Sequence, residues 1–248
     1  MPFKRKTARD LYSDAEKAAK SRVAEGKPLL LSPQAKADDE EATLYVYDAI
    51  GSWFGIAASD FVQALADITA KTIHLRIDSP GGSVFEAEAM QTALQQHAAR
   101  VIAHIDGLAA SAATTLALGA DEIEISDGGV FMIHNAWNIA IGNKDDMLDA
   151  AAFLEKIDGN IAADYQRKTK ASLEQIKEWM DAETWFSAAE ALEHGFVDRI
   201  YKPEGDDDGE ALDKCKPKKG QNATDQALAG KQALAARLRA LRLIEVGS

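Results

Sequence analysis

Ser111 lies in the run Gly107-Leu108-Ala109-Ala110-Ser111-Ala112-Ala113, a serine at an expected strand-to-helix transition with small residues on both sides. Such neighbours let backbone and substrate approach closely, and free N–H groups at a helix start favour a developing oxyanion, so the setting suits a nucleophile. A serine among alanines also serves tight helix packing, and the segment alone does not choose between the two. A hydroxyl is almost wholly protonated at neutral pH, so it needs a base. His134, which closes the apolar run Val130-Phe131-Met132-Ile133, could supply it; His74, His97, His104 and His194 are the competitors. A carboxylate must then hold the imidazole tautomer, and Asp181 and Glu183 in Met-Asp-Ala-Glu-Thr-Trp-Phe are the candidates. The last piece is Asp78-Ser79-Pro80-Gly81-Gly82-Ser83, where two glycines after a strand can expose backbone N–H groups to an oxyanion or to an extended peptide.

Other chemistries have no anchor in the chain. It contains no G-x-x-x-x-G-K-[ST] segment, no H-E-x-x-H and no clustered metal-ligand set, so neither a metal nor a cofactor is expected. Cys215 is the single cysteine, which excludes an intramolecular disulfide framework and fits a reducing cytoplasm. The net charge is −12 over 248 residues, unevenly spread: residues 31–201 carry 11 basic and 28 acidic side chains, whereas residues 1–30 carry 8 and 4. An acidic body repels phosphate backbones, so nucleic acid is not an expected partner. No apolar run approaches the length of a membrane helix, so no membrane association is expected either.

The elements that must position these residues alternate. Leu44 to Tyr47, Thr72 to Asp78, Val101 to Ile105, Ile123 to Ile125, Val130 to Ile133 and Val197 to Ile200 read as strands. Between them, Ser59 to Ala70 reads as a helix capped by Ser59, Val84 to Ala98 as a second, and Ala109 to Leu118 as a third that follows a turn at Gly107. Lys144 to Thr169 keeps Met147, Ala151, Leu154, Ile157, Ile161 and Tyr165 at helical spacing, the mark of one long helix. Ser172 and Ser187 begin two more helices, and His194-Gly195 ends the second. This alternation predicts a layered α/β domain with largely parallel pairing. Residues 1–42 read as a flexible N-terminal arm, 43–201 as the folded domain, and 202–248 as a charged linker with a short amphipathic tail around Leu234, Leu238, Leu241 and Ile244.

Taken in order, the pieces resemble the Clp protease family of serine peptidases, and within it the phage Clp-like prohead and head maturation proteases. The matching segments are Ser-Pro-Gly-Gly at 79–82, Gly-Leu-Ala-Ala-Ser-Ala at 107–112, Phe-Met-Ile-His at 131–134, Ser-Leu-Glu-Gln-Ile at 172–176 and Glu-Thr-Trp-Phe-Ser-Ala-Ala-Glu-Ala-Leu-Glu-His-Gly-Phe-Val-Asp at 183–198. The resemblance implies a ClpP/crotonase-like fold of stacked ββα units with a long handle helix, and subunits joined in a ring-shaped homo-oligomer. It implies Ser111 as nucleophile, His134 as general base, and backbone N–H groups of Gly82 and Ala112 as oxyanion hole. The family's triad acid is an aspartate, but here the alignment places Glu183 at that position, with Asp181 as the alternative. Gly81, Gly82, Ser83 and Asn135 are the implied substrate-binding positions, for a peptide bound extended. The expected activity is an ATP-independent serine endopeptidase acting on phage scaffold or capsid protein, in the cytoplasm of a bacterial host or inside a prohead. A crotonase-like acyl-CoA enzyme and an inactive assembly module are the alternatives.

Overall fold

The computed structural model describes residues 40–51 and 55–201, with a few positions between 7 and 17. The expected N-terminal arm falls mostly outside the described residues, and the linker and amphipathic tail after residue 201 fall wholly outside them. The chain divides into two units, and all of the second, residues 19–29 with 203–248, also lies outside the described residues.

Alternating side chains build the sheet. In β2 (Thr72–Ser79), Ile73, Leu75 and Ile77 are fully buried, while His74 and Arg76 face the other side. Beside it run β1 (Glu41–Val46), β3 (Arg100–Ala110), β4 (Glu122–Ser126) and β7 (Arg199–Tyr201), all parallel in the order β1-β2-β3-β4-β7. Parallel neighbours need crossovers, and α1 (Ala58–Ala66), α2 (Val84–Gln96) and α3 (Ala112–Ala117) supply them. Their residues Phe61, Met90, Leu94 and Leu116 join the same core cluster as the β2 isoleucines. The opposite face is polar: Asp106 accepts two bonds from Arg76 and the hydroxyls of Tyr47 and Tyr201.

β3 is longer than the sequence suggests, and it serves two neighbours. Its middle, Ile102–Ile105, pairs with β4, and its last residues, Leu108–Ala110, pair in parallel with β5 (Val130–Ile133). The expected turn at Gly107 and helix start at Ala109 are therefore corrected: the strand runs through to Ala110 and the helix begins at Ala112. Gly107 lies where the register with β2 shifts, Ile77 facing Ile105 but Ser79 facing Ala109. A side chain there would meet the Asp78 carboxylate at 2.9 Å, so glycine marks a close approach inside a strand rather than a turn. The other edge of β5 takes β6 (Thr184–Ser187), the one antiparallel strand of the described sheet and one the sequence pattern did not announce.

Three further helices follow. α4 (Lys144–Lys168) opens with a capping box formed by Asn143 and Asp146. Ile157, Ile161, Ala162 and Tyr165 of its second half are buried, whereas Met147, Leu148 and Phe153 of its first half are exposed, so only part of the apolar stripe reaches the core. α5 (Leu173–Asp181) and α6 (Ala188–His194) are capped by Ser172 and Ser187, and Gly195 ends α6 at φ 81°.

The start of α1 differs from expectation. Ser59 lies inside the first turn, the N-cap is Ala57 without a side-chain bond, and Glu86 Oε2 of α2 accepts the Ala58 N–H at 2.8 Å. A carboxylate at a helix start also meets the positive end of the dipole. Glu86→Ala is therefore expected to lower stability to urea by about 1–2 kcal/mol, as loss of a cap does, and Ser59→Ala by less than about 0.5 kcal/mol; the reverse order would place the cap on Ser59.

Candidate active site

Three adjacent strands end at one place. Ala110 of β3 pairs with Met132 of β5, and Ser111 N–H donates to the Met132 carbonyl at 2.9 Å, which continues the ladder one step past the strand. On the other side Ile133 of β5 faces Thr184 of β6, so the next antiparallel step sets His134 opposite Glu183. Ser111, His134 and Glu183 thus come from three chain segments whose pairing brings their ends together.

The serine and histidine side chains meet accordingly, and Glu183 acts on the imidazole through its charge. His134 Nε2 lies 2.7 Å from Ser111 Oγ, across 23 residues of sequence. For Nε2 to accept the hydroxyl proton, the imidazole must carry its own proton on Nδ1. Burial pushes the His134 pKa below its ordinary 6.5, and the charge of Glu183 pulls it partly back up. The imidazole is consequently neutral at pH 7 and able to accept a proton. Glu183 adopts φ 48° at the bend between α5 and β6, and its Oε1 also takes a long 3.4 Å bond from Trp185 Nε1. Asp181, the alternative, ends α5 and accepts the Asn135 side-chain amide at 2.7 Å.

Ser111 itself sits at φ 56°, ψ −129°, a conformation that non-glycine residues rarely hold and that costs about 1–3 kcal/mol. The two glycines lie against this turn. An added Cβ on Gly81 (φ 85°) would stand 2.4 Å from Ala110 O and 2.8 Å from Ala112 N. On Gly82 (φ 148°) it would stand 2.0 Å from Ile50 O. Ile50 N–H donates to Gly81 O and Ser83 N–H donates to Ile50 O, so the N–H and C=O of Gly82 between them point to the opposite side, where Gly82 lines a pocket with Ser111 and His134. Ala112 is the first residue of α3, where an N–H has no partner within the helix.

That pocket encloses about 150 Å³, and Pro80, Ser83, Val84, Ala136 and Trp137 complete its lining. The described lining holds no Asp, Glu, Lys or Arg side chain. Gly82 and Ser83 of the expected substrate positions lie on it as a ledge; Gly81 is not part of the lining and accepts from Ile50 N–H, and Asn135, also off the lining, donates to Asp181. Trp137 is a lining residue that the sequence did not single out, and the Arg9 guanidinium stands 5.7 Å from its ring centre. The other histidines are elsewhere: His74 pairs with His104 at 2.9 Å, His97 Nδ1 accepts the Ala99 N–H, and His194 lies against Trp179. Among the described residues, no group of three or more His, Cys, Asp or Glu side chains is placed to hold a metal ion, and no helix is long and apolar enough to cross a membrane.

Comparison with known proteins agrees with this arrangement of strands. The Clp protease family profile matches residues 55–204, more than half of the chain. The ATP-dependent Clp protease proteolytic subunit of Streptococcus salivarius is 32% identical over 147 residues, covering 54% of this chain and 71% of that protein. Subunit 2 of the corresponding protease in Tropheryma whipplei (strain Twist) is 29% identical over 137 residues, covering 54% and 76%. Among solved structures, a ClpP1 mutant from Listeria monocytogenes superposes with a TM-score of 0.59 over 65% of this chain and 92% of its own, at 23% identity, and thus shares the fold. By its sequence profile and its architecture, the chain belongs to the Clp protease family.

Proposed function

We propose that this chain is a serine endopeptidase that forms an acyl-enzyme through Ser111. The observation that carries the proposal is the 2.7 Å contact between His134 Nε2 and Ser111 Oγ. In the cycle, Ser111 Oγ attacks the carbonyl carbon of a peptide bond as His134 takes the hydroxyl proton. The carbonyl oxygen becomes an oxyanion, stabilised by the N–H groups of Gly82 and Ala112. The amide C–N bond then breaks, the leaving amine takes the proton from His134, and water repeats the steps to release the acid. Glu183 stabilises the imidazolium and favours the Nδ1–H tautomer, and Asp181 holds Asn135. A crotonase-like acyl-CoA reaction needs no Ser–His pair, so the contact weighs against that alternative.

The substrate is a protein segment bound extended, its backbone pairing with the outward N–H and C=O of Gly82 as an added strand. A narrow pocket without a charged side chain suits an apolar or small uncharged residue next to the scissile bond. The curated relatives are named as subunits of an ATP-dependent protease. For this chain, cleavage itself needs no nucleotide, and the sequence carries no G-x-x-x-x-G-K-[ST] segment. The finer reading is processing of phage scaffold or capsid protein during head maturation, by a ring-shaped homo-oligomer in the host cytoplasm or within a prohead. In support of assembly, Ile139, at 70% exposure, and Ile141, at 94%, precede a helix whose first half shows Leu148 and Phe153 to solvent. Apolar groups this exposed and this close together favour cover by another copy.

A fluorophosphonate probe is expected to label the wild-type protein and leave Ser111→Ala unlabelled; equal labelling would sink the proposal, and so would failure of the wild type to react or to cleave a scaffold peptide. Gly81→Ala, whose methyl would crowd Ala110 O and Ala112 N, is expected to lose labelling by about a hundredfold or more, the size of effect seen when an oxyanion donor is lost. The base must be neutral, so acylation falls as pH drops through the His134 pKa, which burial sets below 6.5. Glu183→Gln removes the charge that raises that pKa, so the acid limb is expected to move to lower pH while the plateau rate drops. A limb that stays in place would transfer the role to Asp181.

A further inference from the structure

Beside Ser111 three polar groups form a chain in the core, and the last of them, Tyr165, also borders a small void of about 10 Å³ with Ser111 and His134. Thr114 Oγ1 lies 2.6 Å from the Ser111 carbonyl oxygen and 2.6 Å from Tyr165 Oη of α4. Thr114 and Tyr165 are 0% and 1% exposed, so neither hydroxyl faces bulk water. The proton inventory sets the direction. A carbonyl can only accept, so Thr114 spends its single proton on Ser111 O, and Tyr165 must therefore donate to Thr114 Oγ1. Ser111 O also accepts from Thr114 N–H at 2.9 Å, so the same residue grips it twice.

A buried pair of hydroxyls is an unusual choice for stability alone, since two apolar groups of the same shape can serve nearly as well. The chain ends, however, on a particular peptide group. The carbonyl of Ser111 and the N–H of Ala112 belong to one planar unit, so fixing the oxygen fixes where the N–H points. That unit follows a residue held at φ 56°, which would relax if its anchor were lost. Bonds in series also polarise one another, which strengthens the grip on the oxygen.

We infer that Tyr165 and Thr114 are positioning residues that aim the Ala112 N–H at the reacting oxygen by holding the Ser111 carbonyl. The inference rests on the peptidase reading for its kinetic consequence and on geometry alone for its spectroscopic one. Neither residue lines the larger pocket beside Ser111 and His134. Their effect therefore falls on the oxyanion formed in the transition state and leaves substrate binding and the His134 titration as they are.

The experiment compares Thr114→Val, Thr114→Ser and Tyr165→Phe with the wild type, below the unfolding temperature of each and per folded molecule. Thr114→Val is expected to slow acylation about ten- to a hundredfold, somewhat less than outright loss of an oxyanion donor. KM for a peptide substrate and the pH of the acid limb should stay unchanged. Thr114→Ser keeps the hydroxyl and is expected to restore the rate to within about threefold, a tolerance below the tenfold step that 1.4 kcal/mol represents. Tyr165→Phe should slow the wild type but add little to Thr114→Val, because both act through one bond. Lowered thermal stability with an unchanged acylation rate would overturn the inference. The second readout needs no activity: the Ala112 amide ¹H–¹⁵N resonance should shift in Thr114→Val and return in Thr114→Ser. An unmoved resonance would overturn the inference even if the wild type cleaves peptides. A moved one with a wild type inert to fluorophosphonate would leave the positioning intact and remove the peptidase reading.

Discussion

The site depends on strand register. β5 lies between β3 and β6, and both of its pairings are fixed by side chains that alternate into the core: Phe131 and Ile133 join the main cluster, while Met132 packs with Ala110 under Leu108 and Trp185. A slip of one residue would turn this set inside out, so burial specifies the pairing strongly. Once the register is set, the residue after β3, the residue after β5 and the residue before β6 must be neighbours. Contact between Ser111 and His134 follows from backbone ladders, not from any attraction between their side chains.

The glycine ledge depends on a second feature of the same kind. Between Ile77 and Ser79 the pairing of β2 with β3 skips, so that two residues of β2 pass four of β3. An unbroken register would carry Gly81 to the level of Ala109; the skip carries it to the level of Ser111. Gly81 then lies so close to the turn at Ser111 that a single methyl would collide with Ala110 O and crowd Ala112 N. The bulge and the two glycines together let the Gly81–Gly82 backbone lie against the turn at Ser111, which is itself held at positive φ.

Much of this was legible in the sequence because local patterns report burial. The alternation in Thr72–Asp78, the helix starts at Ser172 and Ser187, and the left-handed glycine at 195 are local signals with local causes. The features that escaped are those set by contacts distant in the chain. Gly107 resembles a turn residue until Asp78 is known to press against it. Ser59 resembles a cap until Glu86, which reaches over from the next helix, is seen to take the Ala58 N–H. β6 is only four residues long and gains its strand character from β5. Trp137 and the buried Tyr165 hydroxyl carry no motif, since their significance lies only in what they face.

The two carboxylates near His134 differ in position and in what each one meets. Asp181 and Glu183 are separated by one residue, and either could steady an imidazole. Asp181 is the last residue of α5, and its carboxylate is taken up by Asn135, the residue after the histidine. Glu183 is set at a left-handed bend, and Thr184, directly after it, is tied back by a bond from its hydroxyl to Trp179 O at 2.7 Å. The bend ends the helix and starts β6 in register with β5, which leaves residue 183 opposite residue 134. Burial of the imidazole favours its neutral form, and the charge of Glu183 works in the opposite direction, towards the protonated one.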